Sequence, residues 1–127
     1  MIAEASALAR TAKLCDRSSG RILAVGLSRD DVETLRSGAT RVCEAEAIGA
    51  HRSTEWLKWV NENNDLIGKY DLIVIGVKPG VPLGWLAPVL KTAGVIVSSV
   101  RLDPPHGWRS TKLAVPGSEI WRYGRTR

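Results

Sequence analysis

Two continuous apolar runs constrain this chain more than anything else in it: Tyr70-Asp71-Leu72-Ile73-Val74-Ile75-Gly76 and Gly94-Val95-Ile96-Val97-Ser98-Ser99-Val100. A strand with one face in water alternates apolar and polar residues, whereas a strand covered on both faces does not. The two runs are therefore expected to be the central pair of a sheet with helices on both faces. Between them, Pro79-Gly80-Val81-Pro82 breaks the chain sharply. Leu83 to Lys91 is expected to form a short helix that tolerates Pro88 only in its first turn.

The same pattern runs upstream. Arg21-Ile22-Leu23-Ala24-Val25-Gly26 is a further short apolar run closed by glycine, and reads as a strand. Ser28 precedes Asp31 by three residues and can cap a helix over 29–37 that Gly38 stops. Residues 2–15 place Ile2, Ala5, Leu8, Ala9, Ala12 and Cys15 on one side of a first helix, which Ser18-Ser19-Gly20 ends. Thr40 to Ala45 is a second strand. Ser53-Thr54-Glu55 opens a helix whose buried side comprises Trp56, Leu57, Trp59 and Val60, with Leu66 and Ile67 as further candidates. After residue 100 the pattern changes: Asp103-Pro104-Pro105-His106-Gly107 is a loop, and Lys112 to Val115 and Glu119 to Tyr123 flank Pro116-Gly117-Ser118 as a hairpin. Strands alternating with helices imply right-handed crossovers. The expectation is one α/β domain over residues 1–127, a Rossmann-like three-layer sandwich with a mostly parallel sheet and a C-terminal antiparallel β-hairpin.

With 127 residues, 44% hydrophobic and 24% charged, the chain has the composition of one globular domain and not of a disordered or fibrous protein. Its first residues carry Glu4, Arg10, Lys13 and Asp16 in place of a signal-peptide apolar core, and no apolar run approaches the ~20 residues of a membrane span. A cytoplasmic protein with reduced thiols is expected. Cys15 and Cys43 have no CxxC spacing and no neighbouring histidine, so no metal site is expected. The set of five Trp, two Tyr and no Phe suits either core packing or exposed stacking surfaces. Such a short chain can also self-associate to cover an edge strand.

The net charge of +5 is unevenly placed: charges nearly cancel up to residue 100, while the closing stretch sets Arg101, Arg109, Lys112, Arg122, Arg125 and Arg127 against Asp103 and Glu119. A basic end attracts phosphate-bearing partners through salt-sensitive electrostatics, which makes Arg109, Arg122, Arg125 and Arg127 candidate nucleic-acid-binding residues. It is equally the pattern of a solvated edge hairpin defended by charge.

Ligands of open parallel sheets bind outside the carboxyl ends of the strands, where strand order reverses. That rule nominates Gly26-Leu27-Ser28, Glu44-Ala45-Glu46, Gly76 to Gly80, and Ser98 to Asp103. Gly26 lets a ligand approach the backbone or simply ends a strand. Glu44 or Glu46 either accepts hydrogen bonds from a ribose diol or faces solvent. A dinucleotide site is disfavoured, because VGLSRDD has one glycine where the fingerprint needs three, and Asp30-Asp31 repels a pyrophosphate. There is no GxSxG elbow for a serine nucleophile and no carboxylate cluster for a two-metal or EF-hand site.

The run KYDLIVIGVKPGVPLGWLAPVLKTAGVIVSSV resembles the third quarter of a class I S-adenosylmethionine-dependent methyltransferase, and the closing TKLAVPGSEIWRYGRTR is similar to the antiparallel hairpin that ends that fold. The glycine-rich loop of the family is reduced here to Gly26-Leu27-Ser28, and its strand between residues 47 and 68 is missing, so the likeness is to a shortened form. The resemblance implies S-adenosylmethionine over Gly26, Leu27 and Ser28, its ribose near Glu44 or Glu46, and a methyl acceptor near Gly76 to Lys78. Asp103-Pro104-Pro105-His106 resembles the DPPY or DPPW signature of amino-group methyltransferases, with Trp108 available to stack on a base, although the signature normally follows the strand that YDLIVIG represents. The same string also reads as a proline-rigid connection. Lys78, Asp103 and His106 are thus the catalytic candidates, and the function implied is methyl transfer to a nucleic acid or a small molecule. The alternative is a non-catalytic Rossmann-like module that binds nucleic acid or a protein partner through its basic hairpin. A response-regulator receiver has a similar third strand, but Gly76 stands where its phosphoacceptor aspartate would be.

Overall fold

In the computed structural model, which describes residues 7–15, 20–37, 41–44 and 53–126, the continuous apolar runs are strands buried on both sides. The strands are β1 (Arg21–Val25), β2 (Arg41–Glu44), β3 (Tyr70–Ile75), β4 (Leu90–Ser98), β5 (Trp108–Leu113) and β6 (Ile120–Arg125). They form one six-stranded sheet in the order β2-β1-β3-β4-β6-β5. β1 runs parallel to β2 and β3, and β3 parallel to β4, while β6 is antiparallel to both β4 and β5. The sheet is therefore mixed, parallel as far as β4 and antiparallel in the hairpin, with β3 and β4 as its central pair.

Alternation along each strand divides the core between the two faces. Ile22, Ala24, Leu72, Val74 and Val97 pack with Leu8 and Ala12 of α1 (Ala7–Cys15) and with Val32 and Leu35 of α2 (Arg29–Arg36). Leu23, Val25, Ile73, Ile75 and Ile96 pack with Trp56 and Trp59 of α3 (Ser53–Glu62) and with Leu83 and Leu86 of α4 (Leu83–Leu86). Each Val, Leu or Ile among them contributes about 1.5–3 kcal/mol when fully buried, so each face is held by many contributions. Ser28 caps α2 as the sequence suggests: its Oγ accepts the Asp31 N–H at 3.2 Å. Asp30 and Asp31 in the first turn and Arg36 in the last suit the helix dipole.

Several expectations are corrected. Leu57 is 49% exposed, because the buried side of α3 is centred on Trp56, Trp59 and Val60, and residue 57 lies about 100° around the helix from residue 56. Leu83 to Lys91 is not one helix: α4 ends at Leu86, a 3₁₀ turn over Ala87–Val89 follows, and Leu90 already belongs to β4. Pro88 lies at the start of that turn, where it breaks α-helical continuity. β4 thus begins before Gly94. Tyr70 pairs with Leu90 and Leu72 with Val95, so the segment from Lys91 to Gly94 bulges out of the ladder. The hairpin also shifts, since β5 starts at Trp108 and ends at Leu113. The polar stretch Arg109-Ser110-Thr111 becomes strand through its pairing with Arg122-Tyr123-Gly124.

The tryptophans divide between both uses. Trp56 and Trp59 are core residues, stacked with ring centroids 5.2 Å apart, and Trp59 leans on Tyr70. Trp85 is 44% exposed. Trp108 and Trp121 of the hairpin are partly buried beneath cations, with Arg125 4.8 Å from the first ring and Arg101 5.4 Å from the second. No helix among the described residues is long and apolar enough to cross a membrane.

Candidate functional site

The strand order reverses between β1 and β3, because β2 lies on one side of β1 and β3 on the other. The carboxyl ends of β1 and β3 are stitched together: the Gly76 N–H donates to the Val25 carbonyl at 2.8 Å and the Ser99 N–H to the Ile75 carbonyl at 3.1 Å. The Ser99 hydroxyl also reaches the Gly76 carbonyl, at 3.3 Å. Over this ledge lies an open cleft of about 360 Å³ lined by Gly26, Leu27, Asp31, Gly76 and Ser99, together with Ala7 and Leu8 of α1 and Ser118, Glu119 and Ile120 of the hairpin.

Three of the nominated cofactor residues, Gly26, Leu27 and Gly76, meet here. Ser28 serves as the cap of α2 and is not part of the lining. Glu44 is the last residue of β2, beside Ala24 of β1, and Glu46 lies outside the described residues. Gly26 has φ +67°, and a Cβ on it would stand 2.2 Å from Val77 Cγ2. A Cβ on Gly76 would stand 2.6 Å from the Gly26 carbonyl oxygen. Both glycines are therefore required by the close approach of the two strand ends to each other. The space that a side chain at residue 26 would take is filled by protein.

Of the lining residues not singled out as ligand contacts in the sequence, four are polar. Ser99 fell within a nominated loop, and Asp31 was noted only as repelling phosphate. Ser118 and Glu119 arrive from the distant hairpin turn and leave no local signal. Asp31 and Glu119 are the titratable residues of the lining, and no Lys, Arg or His is among its described residues. The cleft is thus acidic, although the chain is basic. Among the described residues no group of three or more His, Cys, Asp or Glu is placed to hold a metal ion.

The catalytic candidates stand apart from this cleft. Lys78, Asp103 and His106 are all exposed, none lines it, and no hydrogen bond or ion pair joins them. The loop that carries Asp103 and His106 is nonetheless fixed. The Leu102 N–H donates to the Tyr123 phenol oxygen at 2.8 Å, and the Trp108 N–H to the Pro105 carbonyl at 3.0 Å. Burial pushes the Tyr123 phenol above 10.0, opposed by the Leu102 N–H and Arg101 and reinforced by Asp103. Trp108, the proposed stacking residue, has Arg125 over its ring.

Three of the four nominated arginines do come together. Arg109, Arg122 and Arg125 line a second groove, of about 400 Å³, with Thr111, Gly124 and Thr126. Arg127 lies outside the described residues. Arg125 is already engaged, since its Nη1 donates to the Lys91 carbonyl at 2.8 Å and the Thr92 carbonyl at 2.7 Å, clamping the β4 bulge.

The fold is matched in solved structures of methyltransferases. A protein-(glutamine-N5) methyltransferase, release factor-specific, from Alicyclobacillus acidocaldarius superposes with TM-score 0.59 at 15% identity, covering 94% of this chain and 90% of that one. An S-adenosyl-L-methionine methyl transferase from Silicibacter pomeroyi gives TM-score 0.57 at 19% identity, covering 93% and 86%. No family model matches the sequence, and no curated protein matches it significantly. The fold is that of the class I S-adenosylmethionine-dependent methyltransferases. Of residues 47–68, where the family resemblance implies a strand, 53–68 are helix and turn, and the remainder lies outside the described residues.

Proposed function

We propose that the cleft over β1 and β3 binds an adenosyl ligand, S-adenosylmethionine in the first instance. One observation carries the reading: a cleft at the point of strand reversal whose titratable lining is carboxylate only. Asp31 and Glu119 suit a ligand bearing an ammonium, a sulfonium and a ribose diol, and repel one bearing a pyrophosphate. Ser99 and Ser118 add hydroxyls, and the volume lies within the ~300–1,000 Å³ usual for small-molecule sites. When bound, that ligand supplies an activated methyl group for transfer to a nucleophile.

The chain's own part is to hold and orient. The backbone at Gly26 and Gly76 sets the floor, Leu27 closes the apolar side, and the two carboxylates fix the charged end. The acceptor on this reading is a nucleic acid or a small molecule, with Lys78, Asp103 and His106 as titratable side chains of the loops that follow β3 and β4. Calorimetric titration tests the binding step. S-adenosylmethionine should bind, and the affinity should fall about tenfold in Asp31→Asn and in Glu119→Gln, as expected for loss of one charge-assisted contact. NAD should give no heat. Absence of binding at millimolar S-adenosylmethionine would overturn the proposal.

A further inference from the structure

The outer face of the β5–β6 hairpin carries two guanidinium groups without a counter-charge. Arg109 stands directly across the ladder from Gly124, and Arg122 directly across from Thr111, which makes the two arginines diagonal neighbours on one face. Gly124 has no side chain to hold Arg122 off the ladder: Arg122 Nη1 lies 3.5 Å from where a Cβ on that residue would be. Neither arginine has a hydrogen bond or ion pair among the described residues, and no carboxylate lines the groove they share with Thr111. Glu119, the acid of the hairpin itself, lines the acidic cleft and lies 3.7 Å from Lys112 Nζ. Like charges brought together on a strand pair are unfavourable unless an anion joins them.

Arg125 does not belong to this pair functionally, because its Nη1 is held by two carbonyls and its guanidinium lies on Trp108. The groove is also far too polar for an apolar partner, being arginine, threonine and glycine throughout. We propose that Arg109 and Arg122, with the Thr111 hydroxyl, form a phosphate-binding groove for the backbone of a nucleic-acid strand. Planar guanidinium forks match phosphate oxygens bidentately, and adjacent forks on a ladder can follow successive phosphates. The site goes beyond the adenosyl-ligand reading and does not rest on it.

The test uses the full chain, no adenosyl ligand, and fluorescein-labelled mixed-sequence RNA and DNA single strands followed by anisotropy across a salt series. Binding of either strand is expected. Arg109→Ala/Arg122→Ala should weaken it at least tenfold and reduce the steepness of the log–log salt dependence by about 1.4, the equivalent of two phosphate contacts on a single strand. Arg29→Ala/Arg36→Ala, which removes the same charge from α2, should change affinity less than threefold. Gly124→Val keeps every charge but puts a side chain against Arg122, and should weaken binding several-fold. Arg109→Lys/Arg122→Lys keeps both charges without the forks and should recover part of the binding at the parent's salt dependence, which guards against loss through misfolding.

Equal losses in the two alanine pairs would reduce the effect to net charge and overturn the site. So would full binding by Gly124→Val, or absence of binding to both strands at low salt. Displacement of the strand by polyglutamate of equal length at equal concentration would overturn it in favour of an acidic protein partner. Because the assay contains no adenosyl ligand, failure here leaves the cleft proposal standing, and failure there leaves this one.

Discussion

The acidic cleft at the ends of β1 and β3 and the basic groove on the hairpin are concavities of similar size built on opposite terms. In the cleft the backbone groups of the floor are matched to one another: Gly76 to Val25, Ser99 to Ile75 and to Gly76. Its glycines are fixed by contacts within the protein. On the hairpin, one arginine is clamped to carbonyls while its two neighbours in the groove have no hydrogen bond or ion pair among the described residues. A strand end buried in the middle of a sheet has to satisfy its own polar groups, because leaving one unpaired costs about 1–3 kcal/mol. An edge hairpin in solvent has no such obligation, so its charges are free to serve a partner.

Substitutions should divide accordingly. The largest effect is expected at Gly26→Ala, where a Cβ collides with Val77 and the residue must hold a positive φ. Crowding of ~1–3 kcal/mol and a left-handed backbone of ~1–2 kcal/mol give a loss of about 2–5 kcal/mol in urea unfolding. In a Val77→Ala background the loss should shrink to the backbone part. Equal losses in both backgrounds would contradict the claim that the strand ends fill their own space.

Arg125→Ala comes next, at about 1–2 kcal/mol, from two charge-assisted hydrogen bonds on an exposed side chain and its contact with Trp108. A neutral outcome would move Arg125 into the same category as Arg109 and enlarge the binding groove. Tyr123→Phe should cost about 1 kcal/mol near neutral pH, as the Leu102 N–H loses its acceptor. A phenol held above 10.0 in the folded state contributes stability that is complete below its unfolded pKa and lost as pH rises through the folded value. As pH rises past 10.0 the parent chain should therefore lose stability faster than Tyr123→Phe, as read by denaturation at fixed pH, and parallel curves would contradict the burial argument. The smallest effect is expected at Arg109→Ala, within about 0.5 kcal/mol and of stabilising sign, since it relieves a like-charge approach. A clear destabilisation would show that Arg109 is structural and would blur the contrast between the two regions.

The two halves of the candidate site differed in how far the sequence announced them. Gly26 and Gly76 were legible because each closes a continuous apolar run, and a run of that kind ends at the carboxyl edge of a buried strand. Ser28 was legible as a cap from its spacing to Asp31. Glu119 and Ser118 were not, because a hairpin turn nearly a hundred residues from β1 reaches the cleft only through the antiparallel return of β6 beside β4. Lys78, Asp103 and His106 looked like a constellation because of their motif neighbours, yet the loops that carry them leave all three in solvent and without mutual contact.

What the sequence determined by itself is the pair of central strands at Tyr70–Ile75 and Leu90–Ser98, and the α/β character that follows from covering both of their faces. Continuous apolarity is a local property, and water enforces it wherever the chain goes. Its one error there, starting β4 at Gly94, arose because Leu90 to Ala93 become strand only by pairing with Tyr70 across a bulge. Tertiary structure alone decided the rest: that Val77 and not a ligand fills the space at Gly26, that Arg125 is a clamp, and that Arg109 and Arg122 share one open face. Those outcomes depend on which distant residue arrives opposite, and no run of neighbouring residues encodes that.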